Sequence, residues 1–254
     1  MTAEHKMKIK PVMSDARWLR LSVASIPIFT VALVVALKVT VPNFYRLLIA
    51  EDGPVENATV IAYGAAAVLA AGLFISLRSQ QQKIIAFLYL ALAAGLLFIA
   101  MEELNWGQRL VGFSTPNFFV EHGTKPEFSL HNLKTVPLGY LFILVGFYGT
   151  FSRLILKKPL AGRYPMVLAL LTPRAAWSGF FLVPLLLYIY YEYVYQTVML
   201  PLGIEIRREY KWEGHFITGK DQEPIELLLA IGFLVFLLDN WRNYRTIRWS
   251  SGSR

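Results

Sequence analysis

Six stretches of this chain are apolar over lengths that can cross a lipid bilayer. A transmembrane helix needs about 20 predominantly apolar residues, and stretches of this size occur at residues 18–41, 57–78, 84–105, 136–156, 175–200 and 224–241. The composition agrees, because 56% of the residues are hydrophobic and 17% are charged, against about 45–50% and about 25% in soluble domains. The sequence therefore predicts an all-α, polytopic membrane helix bundle, a single transmembrane domain over residues 1–254.

The distribution of charge predicts the orientation of this bundle. Six spans place both termini on one side, and loops rich in Lys and Arg stay cytoplasmic. With a cytoplasmic N-terminus, sixteen of the 25 Lys and Arg residues fall inside, and the net charge is about +13 inside and about −4 outside. The basic N-terminus is like that of a signal peptide, but the apolar segment after it is too long, so we expect a retained first helix. We expect the inner side to attract the anionic headgroups of membrane lipids, and no nucleic acid.

The third apolar stretch ends in two adjacent carboxylates, in "AMEELNWGQRLVGF" at residues 100–113. Glu102 and Glu103 would lie at a helix C-terminus, where the helix dipole disfavours anions. Something else must stabilise them, and the candidates are Arg109, a bound cation, or a proton. We therefore expect a catalytic role for at least one of the two.

A long loop follows this pair and leads to the fourth span. Its apolar residues, such as Phe113, Phe118 and Phe119, are too apolar for water, whereas its Pro and Gly residues interrupt any full span. We expect an interfacial or re-entrant segment at the outer face that covers the helix ends. Such a loop could also dock a protein partner.

Other polar residues are predicted at the same membrane level. Glu56 opens the second span, Glu226 opens the sixth, and His131 lies just before the fourth. Carboxylates with one imidazole could form a divalent-metal shell, with Glu56 and Glu226 as ligands and His131 as a catalytic residue. A divalent metal is the one cofactor that the sequence leaves open.

Each of these residues also has a structural interpretation. Acids in a first helical turn beside a proline are expected from capping and from the helix dipole alone, and this applies to Glu51, Asp52, Glu56, Asp221, Glu223 and Glu226. A lone histidine such as His131 is commonly a hydrogen-bonded structural residue. Spacing does not favour a metal, because the ligands would come from separate helices without an HExxH pattern.

Glu192 is a second acid inside an apolar segment, in "YIYYEYVYQ". Counting about 1.5 Å per residue along the predicted fifth helix places it in the outer part of the bilayer. The tyrosines around it are typical of an interfacial aromatic belt. An intramembrane acid is equally a candidate functional residue, and here we assign it to substrate binding.

The central region resembles a known sequence pattern. The run "EELNWGQRLVGFSTP", followed by "FSLHNL", is similar to a pattern of bacterial multi-pass inner-membrane proteins of unassigned function, although Asn105 stands where that pattern has Ser. The resemblance implies a bacterial inner-membrane location and no particular activity. The residues that carry it are Glu102, Glu103, Trp106, Gln108, Arg109, His131 and Asn132.

Two classes of function follow from these patterns. In the first, Glu102, Glu103 and His131 catalyse a hydrolytic or transfer reaction, metal-dependent if a metal is bound, on a lipid-like substrate. The substrate would contact Trp106, Gln108, Arg109, Asn132 and Glu192. In the second, the chain is a non-catalytic subunit or ligand-binding module of a larger membrane complex, and Glu102 and Arg109 form a buried structural pair. Signatures of common hydrolases, nucleotide-binding proteins and zinc sites are absent, and the chain has no cysteine.

Overall fold

Helices make up most of the chain. The structure is a computed structural model that describes residues 17–80, 82–123, 125–130, 132–133, 138–162, 164–199, 201–202 and 221–251. Its longer helices are α1 (Arg17–Thr40), α3 (Pro54–Ser79), α4 (Lys83–Glu103), α7 (Leu138–Leu160), α9 (Gly179–Ile189) and α10 (Gln222–Ser251). The shorter ones are α2 (Pro42–Leu48), α5 (Gln108–Val111), α6 (Asn117–His122) and α8 (Pro165–Leu171). The described residues contain no β-strand, which confirms the all-α prediction.

Five segments are long and apolar enough to cross a membrane. They are Leu21–Thr40, Pro54–Ser79, Lys83–Glu103, Gly139–Leu160 and Gln222–Tyr244, all close to predicted spans. A sixth is available if the bent pair Pro165–Trp177 and Gly179–Val194, with a bend of 74°, counts as one span. The helices are thus compatible with an integral, multi-pass membrane protein.

The predicted span at 175–200 differs most from its expected form. A 3-10 turn occupies Ala175–Trp177, α9 follows, and residues Tyr190–Met199 continue it as a wider π-helix. Pro184 within α9 lacks the backbone N–H of a regular helix. The segment is therefore a broken helix preceded by the additional short helix α8, and π-helical turns are often found at functional sites.

Small side chains let the central helices approach closely. Ala66 and Ala70 of α3 and Ala86 of α4 are fully buried, as is Ala230 of α10. On α3, Gly72 lies against the ring of Trp241, and an added Cβ would come within 2.7 Å of it. This packing of α3 with α4 and α10 follows the preference of membrane helices for small interface residues.

A second packing unit joins α7, α9 and α10. Gly149 of α7 faces the ring of Phe181, and a Cβ at Gly146 would meet Leu185 Cβ at 2.9 Å. Gly232 of α10 makes a similar contact with Phe180. Trp177 and Phe180 are fully buried at this junction. The glycines of α7 and α10 therefore make room for the aromatic residues of α9.

The long helices alternate in direction, so their ends form two polar levels. We call the level that holds the start of α3 and the end of α4 the outer end. The level that holds the end of α3, the start of α4 and the end of α7 is the inner end. Lys157 and Lys158 lie in the last turn of α7, where cations are favoured by the helix dipole.

Candidate functional site

A left-handed turn ends α4 and directs the chain into the segment between α4 and α7, residues 104–137, which we call the outer loop. Three consecutive residues have positive φ angles, namely Asn105 (49°), Trp106 (52°) and Gly107 (82°). A bulky residue such as tryptophan rarely adopts this conformation, so surrounding contacts must stabilise it. The Trp106 indole N–H donates a hydrogen bond to Glu102 Oε1, and its ring packs edge-on against Phe98 at 5.6 Å between centroids. Glu102 therefore helps to hold the turn.

Glu102 is buried, with 4% of its surface exposed, although it lies at the end of a helix. Its Oε1 accepts the Trp106 N–H, and its Oε2 accepts a hydrogen bond from Ser129 Oγ at 3.1 Å. Hydrogen bonds to a carboxylate offset the loss of hydration on burial. Glu102 thus joins α4 to two points of the outer loop, a positioning role that fits its burial better than direct attack on a substrate does.

Gln108 connects three other residues of the outer loop by hydrogen bonds of its side chain. Its Nε2 donates to the Phe113 carbonyl at 3.0 Å and to Thr115 Oγ1 at 2.7 Å, while its Oε1 accepts from the Phe128 N–H at 2.8 Å. Thr115 Oγ1 in turn donates to the Pro126 carbonyl. The three side-chain hydrogen bonds of Gln108 among the described residues are thus within the loop, and its predicted contact with substrate stays a prediction.

Arg109 contacts a different pair of acids from the one expected. Its guanidinium forms ion pairs with Asp52 and with Glu56, the latter at 2.9 Å, and its Nη1 donates to the Glu103 carbonyl at 2.8 Å. The expected pairing of Arg109 with the Glu102 carboxylate is therefore wrong. The physical reason is that the left-handed turn points Arg109 back across the end of α4 towards the start of α3.

Glu56 combines a capping role with this ion pair. Its Oε2 accepts the backbone N–H of Asp52 at 2.7 Å, in the manner of a capping box, while its Oε1 accepts from Arg109. The side chain is 12% exposed. Glu56 was interpreted from sequence either as a metal ligand or as an acid that caps a helix. The capping contact is observed.

Four acids from α3, α4 and α10 interact electrostatically at the outer end. Glu226 of α10 accepts a hydrogen bond from the Tyr188 hydroxyl of α9 at 2.7 Å. Glu103, Glu223 and Glu56 are all near enough to interact electrostatically with Glu226. We call these four residues, Glu56, Glu103, Glu223 and Glu226, the outer carboxylate cluster.

Two tyrosines line this cluster inside the bundle. Tyr63 of α3 is 1% exposed and Tyr188 is 3% exposed, and both lie near Glu226 and Glu103. The sequence offered a weak signal for Tyr188, which begins the tyrosine-rich segment around Glu192. Tyr63 stands alone in an alanine-rich helix and was missed. Only the packing of the helices brings both phenols to Glu226.

Glu192 lies against the start of α7. Its carboxylate contacts the backbone at Gly139 in the first turn of α7, where a Cβ would overlap with it. A carboxylate is favoured at a helix N-terminus, and the missing Cβ of glycine makes this approach feasible. The neighbouring Tyr193 packs edge-on with Tyr140 at 6.0 Å. Glu192 therefore has a local electrostatic partner in α7.

A metal centre is not supported by the described part of the chain. Among those residues, no group of three or more His, Asp or Glu side chains could hold a metal ion. Glu56 is engaged by Arg109, and Glu226 by Tyr188, so the two predicted ligands already have other partners. His131, the predicted imidazole, lies outside the described residues.

A second carboxylate pair joins the outer loop to the start of α3. Glu127 and Glu51 interact by a side-chain hydrogen bond, and Lys125 Nζ binds Glu51 Oε1 at 2.7 Å. Asn132 donates to Glu127 Oε2 at 2.8 Å, and its predicted contact with substrate stays a prediction. Burial, followed by the hydrogen bond with Glu51, raises the pKa of Glu127 to about 7. The sequence analysis did not single out Glu127, because an acid in a polar loop carries no distinguishing signal.

Raising the pH to about 7 should loosen the outer loop. The native state keeps a proton on Glu127 that the unfolded chain, with a Glu pKa of about 4.3, has already lost. Stabilisation from this proton is complete below the unfolded pKa and is lost as the pH rises through the native one. Backbone amides of residues 125–130 should therefore lose protection from hydrogen exchange progressively as the pH rises from about 4.3 to about 7, with no further loss above that, after correction for the intrinsic rate.

The matched variant for this experiment is Glu127→Gln. It keeps the shape of the side chain and its capacity for hydrogen bonds, but it cannot lose a proton. In Glu127→Gln, the protection of residues 125–130 from hydrogen exchange should be the same at both ends of the pH range. An equal loss of protection in Glu127→Gln would show that another group controls the loop.

A buried ion pair fixes α1 and α2 against the start of α10. Lys38 Nζ lies 2.5 Å from Asp221 Oδ2, and the Tyr45 hydroxyl donates to Asp221 Oδ1 at 2.7 Å. The two charged side chains are 8% and 6% exposed. Asp221, interpreted from sequence as a helix-start acid, therefore also joins three helices at the outer end.

No protein-family model matches this chain, and no match is found among curated proteins or among solved structures. The chemistry of the outer end therefore has to be inferred from its own residues.

Proposed function

We propose that this chain is a multi-pass protein of the bacterial inner membrane that carries out acid–base chemistry at its outer face. The reaction is a hydrolysis or group transfer on a lipid-like, amphipathic substrate that enters from the outer leaflet. The resemblance of residues 102–133 to bacterial inner-membrane proteins supports the location. The outer carboxylate cluster supports the chemistry.

The observation that carries this proposal is the placement of Glu226. Its carboxyl group accepts the Tyr188 hydroxyl at 2.7 Å and has Glu103 as an electrostatic neighbour. Two ionised carboxylates at one poorly hydrated site repel each other, and in this proposal Glu103 and Glu226 share one proton. A protonated and an ionised carboxyl group at one site supply a general acid and a general base.

Other predicted residues support this pair rather than react. Arg109 holds the end of α4 against Glu56, and Glu102 and Trp106 maintain the turn after Glu103. This arrangement positions Glu103 with respect to Glu226. In this proposal Glu102 changes from a catalytic residue to a positioning residue.

Exposed apolar residues of the outer loop support the proposal that the substrate comes from the membrane. Leu110 and Val111 are 76% and 79% exposed, and Phe118 and Val120 are also more than half exposed. Apolar side chains on short helices are typical of segments that lie at the headgroup level. A lipid-like substrate would therefore meet these residues on its way to the helix ends.

The experiment is a search for turnover of membrane lipids by the purified protein. The full chain in nanodiscs would be incubated with a total bacterial lipid extract, and the lipids would be compared by mass spectrometry before and after incubation. At least one lipid or lipid-linked compound should be consumed by the natural protein and not by Glu226→Gln. The control is Glu121→Gln, which removes an exposed acid of the outer loop.

Failure to detect any turnover, or equal turnover by Glu226→Gln, would contradict the proposal. A result in which Glu121→Gln is as inactive as Glu226→Gln would also contradict it, because the effect would then not depend on the cluster.

A second candidate is a non-catalytic subunit or ligand-binding module. The observation in its favour is that Glu102, Trp106, Gln108 and Asn132 all make hydrogen bonds within the end of α4 and the outer loop. A rigid outer loop with exposed apolar residues suits a protein partner. A stoichiometric protein that copurifies in mild detergent and is lost with Gln108→Ala would favour this candidate over the enzyme.

The orientation of the chain gives a separate prediction. The excess of Lys and Arg at the inner end favours six spans with both termini in the cytoplasm. A reporter that functions only in the cytoplasm should be active when fused after Arg254, and a reporter that functions only outside should be inactive there. The opposite pattern would show an odd number of spans or an inverted orientation.

A further inference from the structure

A buried ion pair at the inner end involves one carboxylate and several arginines. Arg174 follows α8, and its Nε lies 2.6 Å from Asp239 Oδ2 on α10. Its Nη2 also donates to Asn243 Oδ1 at 3.2 Å. Asp239 is 5% exposed and the Arg174 side chain is 21% exposed, so the carboxylate is shielded from bulk water and the guanidinium only partly. Arg242 also interacts electrostatically with Asp239.

Arg153 adds a further positive charge to this pair. It lies on α7 and interacts electrostatically with both Arg174 and Asp239. Its Nη1 is buried and has no hydrogen-bond partner among the described residues. Thr150 Oγ1, one turn earlier on α7, is also buried and has no hydrogen-bond partner among the described residues. A single carboxylate therefore faces more than one guanidinium, and one guanidinium nitrogen has no acceptor.

Such an arrangement leaves an excess of positive charge in a partly buried place, which an anion would neutralise. Removing a charged group from water costs several kcal/mol unless charge pairing and hydrogen bonds offset the loss. Arginine presents its N–H groups in a planar fork that matches the oxygens of a phosphate. The planar fork of Arg153, whose Nη1 has no partner among the described residues, therefore matches the oxygens of an oxyanion.

We propose that Arg153 and Arg174 form a binding site for a phosphate group at the inner end of the bundle. The group could belong to the headgroup of an anionic phospholipid or to free phosphate, since the recognised chemistry is the same. Lys157 and Lys158 lie one turn beyond Arg153, so the site is at the level where lipid headgroups meet the protein. The site is separate from the outer carboxylate cluster and does not depend on the function proposed for it.

The experiment uses the full chain in lipid-free, phosphate-free neutral detergent. Thermal unfolding would be measured while either phosphatidylglycerol or inorganic phosphate is added, with phosphatidylcholine as the reference lipid. The variants are Arg153→Gln, which removes the unpartnered guanidinium, and Lys157→Gln, which removes an exposed charge on the same helix.

Stabilisation of the natural chain by either probe, above that from phosphatidylcholine, supports the site. Arg153→Gln should weaken this binding by about tenfold or more, whereas Lys157→Gln should change it by no more than about twofold. Stabilisation by phosphatidylglycerol without inorganic phosphate identifies a lipid headgroup, and stabilisation by inorganic phosphate identifies a free anion. Without any added anion, Arg153→Gln should be at least as stable as the natural chain, because it relieves repulsion from Arg174.

Three results would overturn the proposal. Equal weakening by Arg153→Gln and Lys157→Gln would indicate diffuse surface charge. The absence of stabilisation by both probes would show that no such site exists. A failure of Arg153→Gln to fold in anion-free detergent would show that the protein itself holds this guanidinium.

Discussion

Arg109→Ala should lower the free energy of unfolding by about 3–5 kcal/mol, the range typical of a buried ion pair that loses one partner. The Arg109 side chain is 12% exposed, and so is that of Glu56, with which it pairs. Removing it leaves the Glu56 carboxylate poorly solvated and leaves the Glu103 carbonyl without a donor. The start of α3 and the end of α4 would then lose their connection at the outer end.

The measurement is unfolding of the purified protein in mixed micelles as the fraction of denaturing detergent rises. Arg78→Ala is the matched control, because Arg78 is exposed in the last turn of α3 and should change stability by no more than about 0.5 kcal/mol. Arg109→Lys should lie between the two, since lysine keeps the charge and loses the planar fork. Similar stabilities for Arg109→Ala and Arg78→Ala would mean that the ion pair does not hold the helix ends together.

Glu226→Gln should lower the rate of turnover by about 100- to 10,000-fold, the usual contribution of a positioned general acid or base. The amide keeps the shape of the side chain and can still accept the Tyr188 hydroxyl, so the fold should persist. What it loses is the proton that the Glu103 and Glu226 pair exchanges with a substrate. The rate would be measured with whichever lipid the natural protein consumes.

Tyr188→Phe gives a graded control for this prediction. It removes the hydroxyl that orients Glu226 and leaves the carboxyl group in place. We expect a smaller loss of rate than in Glu226→Gln, with the optimum pH displaced because the carboxyl group loses a hydrogen bond. Full activity in Glu226→Gln, at a stability close to that of the natural chain, would remove Glu226 from the reaction.

The long apolar helices could be predicted from hydropathy because a helix that crosses a bilayer needs about 20 apolar residues. The predicted span at 57–78 is α3 at Pro54–Ser79, and the span at 84–105 is α4 at Lys83–Glu103. The short helix α8 and the break before α9 could not be predicted in this way. An apolar composition does not distinguish a straight span from a bent pair.

The partners of the polar residues were harder to predict than their membrane level. Glu56, Glu103 and Glu226 come together at the outer end, and their level followed from the alternation of the helices. The partner of Arg109 depends on the left-handed turn at Asn105 and Trp106, which no sequence pattern indicates. Side-chain direction within a loop is decided by such local backbone angles, and these are visible only in the structure.

The most direct test of the account is chemical modification of the outer carboxylate cluster by a hydrophobic carbodiimide. This reagent partitions into the membrane and reacts with protonated carboxyl groups, and peptide mass spectrometry locates the product. We predict modification at Glu226 or Glu103 together with loss of lipid turnover, and no modification of the exposed Glu121. Modification of neither Glu226 nor Glu103, or modification that leaves turnover unchanged, would contradict an acid–base site at the outer end.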